Sequence, residues 1–197
     1  MISLTEIRAA LDGSWLLLLN RPEGLRYFDQ SIQGFWRSFQ VIILLVPVIL
    51  VGGVAEKQLY SMTGAYQSEP FTDSAFWSAH FMASGVAWVA FPALVALLAG
   101  PVGISHRFVP FIVTWNWSSL LATVPMLVSC LLYLLRIVST EIFVLLHFAS
   151  YAALLWFYYR VARNALQSTI SLAIGVVVLD VLLSVVIAEL IGRVWGL

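Results

Sequence analysis

The stretch ISLAIGVVVLDVLLSVVIAELI, residues 170–191, decides the class of fold. It exceeds the roughly 20 apolar residues that an α-helix needs to cross the hydrocarbon core of a bilayer. It also carries a carboxylic acid, Asp180, near its centre, where an ionisable group is costly and is therefore a candidate for function. Ser184, Ala188 and Gly192 follow Asp180 every four residues. Because small residues let membrane helices pack closely, this face predicts that Asp180 points toward protein rather than lipid.

The composition of the whole chain extends this prediction to a polytopic membrane protein. Of 197 residues, 61% are hydrophobic and 10% are charged, and the mean hydropathy is +0.96. Soluble domains are about half apolar and about a quarter charged. The formal net charge is zero, which leaves no basic surface for a nucleic acid. The single cysteine, Cys130, lies in an apolar run and is interpreted as a small buried hydrophobe.

The apolar runs predict an all-α fold, a bundle of five transmembrane helices preceded by an amphipathic segment. The amphipathic segment covers residues 1–38 and the transmembrane domain covers residues 39–197. The predicted spans are about 39–55, 75–99, 112–135, 141–159 and 170–191. A polar loop is expected over residues 56–73, between the first two spans.

Three smaller features refine the spans. The second span carries a packing seam of small residues at four-residue intervals, made of Ala79, Ala83 and Ala87. Trp115 and Trp117 are interpreted as part of an aromatic belt, which starts the third span near Ile112. The aromatic run of residues 156–159, followed by arginines, is interpreted as an interface anchor that ends the fourth span.

The N-terminal segment is predicted to lie at the membrane surface. Ser3 followed by Glu6 forms a capping box that opens a helix. One face of that helix is apolar at helical spacing and consists of Leu4, Ile7, Leu11 and Trp15. A break is expected over residues 20–24, which read NRPEG.

The second part of this segment, RYFDQSIQGFWRSF at residues 26–39, mixes aromatic and charged residues. This mixture is typical of an interfacial lead-in to the first span. The alternative is a surface that binds a partner. Its candidate residues are Phe35, Trp36, Arg37 and Phe39.

The distribution of Lys and Arg predicts the orientation of the chain in the membrane. Seven would lie on the side of the N-terminus and three on the other side. An odd number of spans with this bias puts the N-terminus in the cytoplasm and the C-terminus outside. The acidic loop after the first span then faces out.

Two motifs carry a family resemblance. The stretch RYFDQSIQGFWRSF before the first span and RFVPFIVTWNW at residues 107–117, together with five spans, resemble a bacterial inner-membrane family related to the Yip (Ypt-interacting protein) family. The resemblance implies a five-helix bundle in the bacterial inner membrane with a cytoplasmic N-terminus. Eukaryotic Yip members bind Rab-type GTPases and act in vesicle traffic. They have a long cytosolic region, which the short segment of residues 1–38 does not match.

Polar residues inside the spans are the remaining candidates for a functional site. The chain has no nucleotide-binding loop, nucleophile elbow, HExxH or CxxC motif, so it is predicted to be non-enzymatic and to hold neither cofactor nor metal. The intramembrane candidates are Asp180, His147, Asn116, His80 and Glu189.

At about 1.5 Å per residue, Asp180 lies near mid-membrane, with His80, His147 and Glu189 in the outer half. His147 and Asn116 are predicted to reach Asp180, with His147 favoured. The cluster is either proton- or cation-responsive, or it holds the bundle together by hydrogen bonds. Glu189 and Arg193 are four apart and are expected to pair at the membrane edge.

The expected function is a scaffold or accessory subunit of a membrane complex, with the lipid bilayer and other membrane subunits as partners. The alternative is a small transporter or channel that uses Asp180. An intramembrane enzyme acting on lipids ranks last, because only the outer-half histidines offer it a polar cluster.

Overall fold

A computed structural model describes residues 2–63 and 72–195 of the chain. These residues form eight α-helices, two short 3-10 segments and no strand, which confirms the predicted all-α fold. The α-helices are α1 (Leu4–Leu18), α2 (Ile32–Ser38), α3 (Val41–Thr63), α4 (Asp73–Val102), α5 (Phe108–Ala122), α6 (Val124–Leu134), α7 (Thr140–Leu166) and α8 (Ile170–Trp195). The 3-10 segments are Pro22–Tyr27 and Ser105–Arg107.

Five helical units within the described residues are long and apolar enough to cross a membrane, so the chain is a multi-pass membrane protein. The units are Ile32–Met62, Asp73–Val102, Ser105–Leu134, Thr140–Leu166 and Ile170–Trp195. The first joins α2 to α3 and the third joins α5 to α6.

Several helices extend beyond the boundaries that hydropathy predicts. Helix α3 continues to Thr63, so Glu56 is helical and does not belong to a loop. The rest of the expected polar loop falls largely on residues 64–71, outside the described residues. Helix α7 continues to Leu166, past the predicted end at residue 159. Polar residues remain helical here because neighbouring helices pack against them.

Helix α5 is the centre of the bundle and is buried from Phe111 to Ser119. It packs against α1, α2, α4 and α7. The expected aromatic belt is wrong for Trp115 and Trp117, which are only 5% and 2% exposed. Trp115 stacks on Phe91 at 4.7 Å and on Tyr158 at 4.1 Å between ring centroids. The predicted start near residue 112 depended on that belt. Helix α5 instead begins at Phe108.

The aromatic run that ends the predicted fourth span is also divided between two environments. Trp156 is 54% exposed and carries the Arg160 guanidinium 5.0 Å above its ring. Phe157 and Tyr158 are buried in the core. The expected interface anchor is therefore wrong for these two, because the helix continues and turns them toward α5.

Helix α1 forms as predicted, with the Ser3 hydroxyl accepting the Glu6 N–H at 3.2 Å. It packs against α5 and α7. The buried residues on α1 are mostly small and comprise Ala10, Gly13, Ser14 and Leu17. Of the predicted apolar face, Leu4, Leu11 and Trp15 are exposed, whereas Ile7 packs against the core. Small side chains decide which face docks, because they let the helix axis come close to the bundle.

Helix α8 packs against α4 and α7. The two predicted seams of small residues meet, since Ala79 and Ala83 of α4 line one cavity together with Ala188 and Gly192 of α8. This α4–α8 seam, defined by these residues together with Ala87 and Asp180, holds most of the candidate site.

Candidate functional site

A cluster of three side chains, Glu56, Tyr60 and His80, joins α3 to α4. His80 Nδ1 lies 3.4 Å from Glu56 Oε2. The Tyr60 hydroxyl donates to Glu56 Oε1 at 2.9 Å. His80 Nε2 lies 3.1 Å from the carbonyl oxygen of Ile49. Both ring nitrogens of His80 and both oxygens of Glu56 therefore have partners.

The contact with Ile49 determines the tautomer of His80. A carbonyl oxygen only accepts, so Nε2 carries a hydrogen. The other ring nitrogen, Nδ1, faces the Glu56 carboxylate. One proton shared between these two groups can lie on either of them. Either Glu56 donates to a neutral Nδ1, or the imidazolium donates to the Glu56 carboxylate. The proton can thus move between Glu56 and His80 without breaking their contact.

The cluster lies between two cavities. One cavity of about 410 Å³ opens into the α4–α8 seam and is also lined by Glu189. The other, of about 430 Å³, lies toward α6 and α7 and is also lined by Cys130 and His147. Glu56, Tyr60 and His80 line both cavities, so any solute passing between them meets this cluster.

The ionisable residues of the two cavities share one level of the bundle. The acids and histidines among them are Glu56, His80, His147 and Glu189, each six or seven residues from the end of its helix. That distance is about 10 Å at the α-helical rise per residue. The four helix ends lie on one side of the membrane because successive spans alternate in direction. The sequence predicts only that His80, His147 and Glu189 share one half of the membrane, and the common level of the three is a finding of the structure.

The expected pairing of His147 with Asp180 is wrong. His147 lines the 430 Å³ cavity, whereas Asp180 lines a separate cavity of about 140 Å³. Among the described residues, the buried His147 Nδ1 has no hydrogen-bond partner. Helix α7 presents His147 toward Phe143, whose ring centroid is 5.3 Å away. The spacing of residues along α7 does not reveal which other helix packs against the side that carries His147.

Asp180 points into the protein, as its small-residue face predicts. Its cavity is also lined by Asn116, the second predicted partner. The Asn116 amide instead donates to the Ser38 hydroxyl at 3.0 Å. No hydrogen bond or ion pair to the Asp180 carboxylate is found among residues 2–63 and 72–195.

Glu189 has two contacts. It pairs with Arg193 at 2.8 Å, as its spacing predicts, and both side chains are exposed. It also lines the seam cavity beside Glu56.

Only Trp36 remains exposed among the four interfacial candidates, at 67%. Phe35 and Phe39 pack against the core, with Phe35 also against Phe108 at 5.7 Å between ring centroids. Arg37 forms ion pairs with Asp29 at 2.5 Å and with Glu6 at 3.6 Å. Three of the four residues therefore contribute to internal packing.

The acid that pairs with Arg37 has a shifted titration. Hydrogen bonds from the side chain and backbone N–H of Ser31, together with Arg37, lower the pKa of Asp29. The Ser31 hydroxyl in turn caps α2 by accepting the Gly34 N–H at 3.0 Å. Several residues of the motif at residues 26–39 therefore form hydrogen bonds and ion pairs within the N-terminal segment.

The residues of this candidate cluster that the sequence did not single out are Glu56 and Tyr60. Both fall within the stretch interpreted as a loop. Their spacing of four residues, at the end of an apolar run, was the available signal.

No group of three or more His, Cys, Asp and Glu side chains among the described residues is arranged to hold a metal ion. No protein-family model, curated protein or solved structure matches the chain. The fold and the site define a class by architecture alone: a multi-pass helical membrane protein whose cavities between the spans carry a few ionisable side chains.

Proposed function

We propose that the protein is a small, non-enzymatic transporter or channel for monovalent cations, working through the Glu56–Tyr60–His80 cluster and the α4–α8 seam. The observation that carries this proposal is the row of cavities along the seam. Its ionisable lining is acidic, with Glu56 and Glu189 at the outer level and Asp180 deeper. Among the described residues, no Lys or Arg lines these cavities. Acidic linings favour cations over anions.

The Glu56–His80 pair suits a step that depends on protons. With one shared proton the pair is neutral overall and the cluster is closed by its own hydrogen bonds. Losing that proton leaves a carboxylate facing a neutral ring nitrogen, which breaks the contact and exposes a negative charge to both cavities. We therefore expect cation movement to depend on pH.

The location belongs to the same proposal. The chain resides in the bacterial inner membrane with its N-terminus in the cytoplasm, as the charge bias and the resemblance to the Yip-related family support. The cluster then opens toward the outside of the cell.

A flux measurement tests the proposal. The full chain is reconstituted into liposomes, a negative-inside potential is imposed, and entry of H⁺ and of radioactive Na⁺ is followed. We expect flux above that of empty liposomes, and a fall of about tenfold or more, about 1.4 kcal/mol, in Glu56→Gln and His80→Gln. Glu141→Gln, which changes an exposed acid outside the cavities, serves as the matched control. Absence of flux of both ions in the parent protein would contradict the proposal.

A scaffold or accessory subunit is the second candidate, favoured by exposed apolar side chains on the N-terminal segment. Trp15 is 54% exposed and Trp36 is 67% exposed. Co-purification from the native membrane in mild detergent tests this function. A stoichiometric membrane partner that is lost in Trp36→Ala supports it, and a protein that always purifies alone counts against it.

A further inference from the structure

We propose that the cavity around Asp180 is a binding site for a small monovalent cation, with Na⁺ as the probe. The cavity has a volume of about 140 Å³ and lies where α4, α5, α7 and α8 meet. A water molecule takes up about 30 Å³, so the cavity holds a sodium ion with a few waters. Asp180 supplies the charge, and three neighbouring groups supply further oxygen atoms.

The first oxygen is Oδ1 of Asn116, whose orientation is determined by its neighbours. The Ser38 hydroxyl donates to the carbonyl of Phe35 at 2.7 Å, so its hydrogen is already used. Ser38 can therefore only accept from Asn116, and the contact at 3.0 Å must come from the NH₂ group. The opposite end of the amide, Oδ1, is left as an acceptor on a residue that lines the cavity.

Helix α4 contributes two more oxygens. The Ser84 hydroxyl donates back to the carbonyl of His80 at 2.8 Å, which leaves its lone pairs available. Pro92 has no N–H, so the carbonyl of Trp88, four residues earlier, lacks its usual helical donor. Ser84, Trp88 and Pro92 all line the cavity. Oxygen atoms from a carboxylate, an amide, a hydroxyl and a carbonyl are the ligands that hard cations prefer.

Charge selects a monovalent ion. Asp180 is the one acid lining the cavity within the described residues, and Tyr158 is the one other titratable group there. Two hydrogen-bond donors on the lining, Tyr158 and Trp115, have no acceptor within the described part of the chain, and both are neutral. A single positive charge therefore neutralises the site, whereas a divalent ion would leave a net charge buried at costly depth.

This site names the cation that the α4–α8 seam would carry. The inference therefore rests on the proposed function. Equilibrium binding separates the two. Binding without flux would support the site and contradict transport, and flux without binding would do the reverse.

The test uses the purified full chain in detergent, with NaCl replaced stepwise by N-methylglucamine chloride at constant ionic strength. Equilibrium binding of radioactive Na⁺ and the Tm are measured, together with tryptophan fluorescence, since Trp88 and Trp115 line the cavity. We expect saturable binding and a saturable rise in Tm. At a Na⁺ concentration of about 100 Kd the unfolding equilibrium constant should fall about 100-fold.

Two variants and a control locate the site. Asp180→Asn should abolish the Na⁺ response. Ser84→Ala, a substitution that a small-residue seam tolerates, should weaken it several-fold and covers the case in which Asp180→Asn does not fold. Glu141→Gln, which changes an exposed acid outside the cavities, should leave the response intact.

The proposal is overturned if the folded parent protein shows no Na⁺ binding and no Na⁺-dependent Tm. It is equally overturned if Tm responds to pH alone, since Asp180 would then hold a proton instead of a cation. Full retention of the response in Asp180→Asn would place any Na⁺ elsewhere.

Discussion

Gly53 makes the Glu56–Tyr60–His80 cluster possible by leaving room beside α3. A Cβ atom at this position would lie 2.7 Å from the Trp77 ring and 3.1 Å from His80 Nε2. The imidazole can approach the Ile49 carbonyl only because residue 53 has no side chain. The neighbouring Gly52 has nothing within 4 Å of the same added atom. Two adjacent glycines in one helix therefore have different structural roles.

Gly53→Ala should lower the free energy of unfolding by about 1–3 kcal/mol, the usual cost of overpacking. It should also displace His80 from the Ile49 carbonyl and reduce cation flux. Gly52 lines the cavity of about 430 Å³, so Gly52→Ala is the matched control for Tm alone. It should be neutral or slightly stabilising, because alanine is the better helix former. Tm and liposome flux measure both effects. An equal change of Tm in the two variants would contradict the role given to Gly53.

At the scale of elements, the N-terminal hairpin of α1 and the first 3-10 segment is held by backbone proximity. A Cβ at Gly24 would lie 2.5 Å from the carbonyl oxygen of Gly13, and one at Gly13 would lie 2.8 Å from that of Gly24. The contact involves main chain on both sides and so cannot adjust by moving a flexible side chain. This packing explains how a helix with an exposed apolar face stays docked on α5 and α7.

Gly24→Ala should release α1 from the bundle and lower stability by about 1–3 kcal/mol. Limited trypsin digestion should then cut at Arg8 or at Arg26, which is followed by Tyr27, faster than in the parent protein. Gly175→Ala provides the control, because its added Cβ meets nothing within 4 Å. Unchanged protease resistance in Gly24→Ala would show that the hairpin tolerates the extra atom and would refute this account.

The whole molecule is polarised along the membrane normal. The N-terminal hairpin packs at one end of the bundle, whereas Glu56, His80, His147 and Glu189 share a level near the other end. Between them lie the Asp180 cavity and the buried central helix α5. A protein built this way has its polar cavities opening on the side opposite its N-terminus, so orientation decides which compartment the site samples.

We expect the N-terminus inside and the C-terminus outside, from seven against three Lys and Arg residues. Green fluorescent protein fused to the N-terminus should fluoresce, and alkaline phosphatase fused to the C-terminus should be active. The opposite pattern of reporter activity would reverse the proposed side of the site while leaving its chemistry unchanged.

The sequence alone determined the all-α class and the number of spans, because the bilayer imposes a length and an apolar composition on each helix. It also determined that Asp180 faces protein, since four-residue spacing fixes one side of a helix. The capped start of α1 and the Glu189–Arg193 pair followed for the same reason: local geometry sets both.

Only the tertiary structure decided which helix packs against each side of a given span. Which helix lies opposite Asp180 depends on how five helices rotate and pack. Packing excluded His147 and left Asn116, the second predicted partner, in the cavity of the acid. Packing also buried Trp115 in the core and kept Glu56 helical, where hydropathy indicated a belt and a loop. Hydropathy measures the preference of a residue for lipid or water. It does not predict the position of a polar group that is surrounded by other parts of the protein.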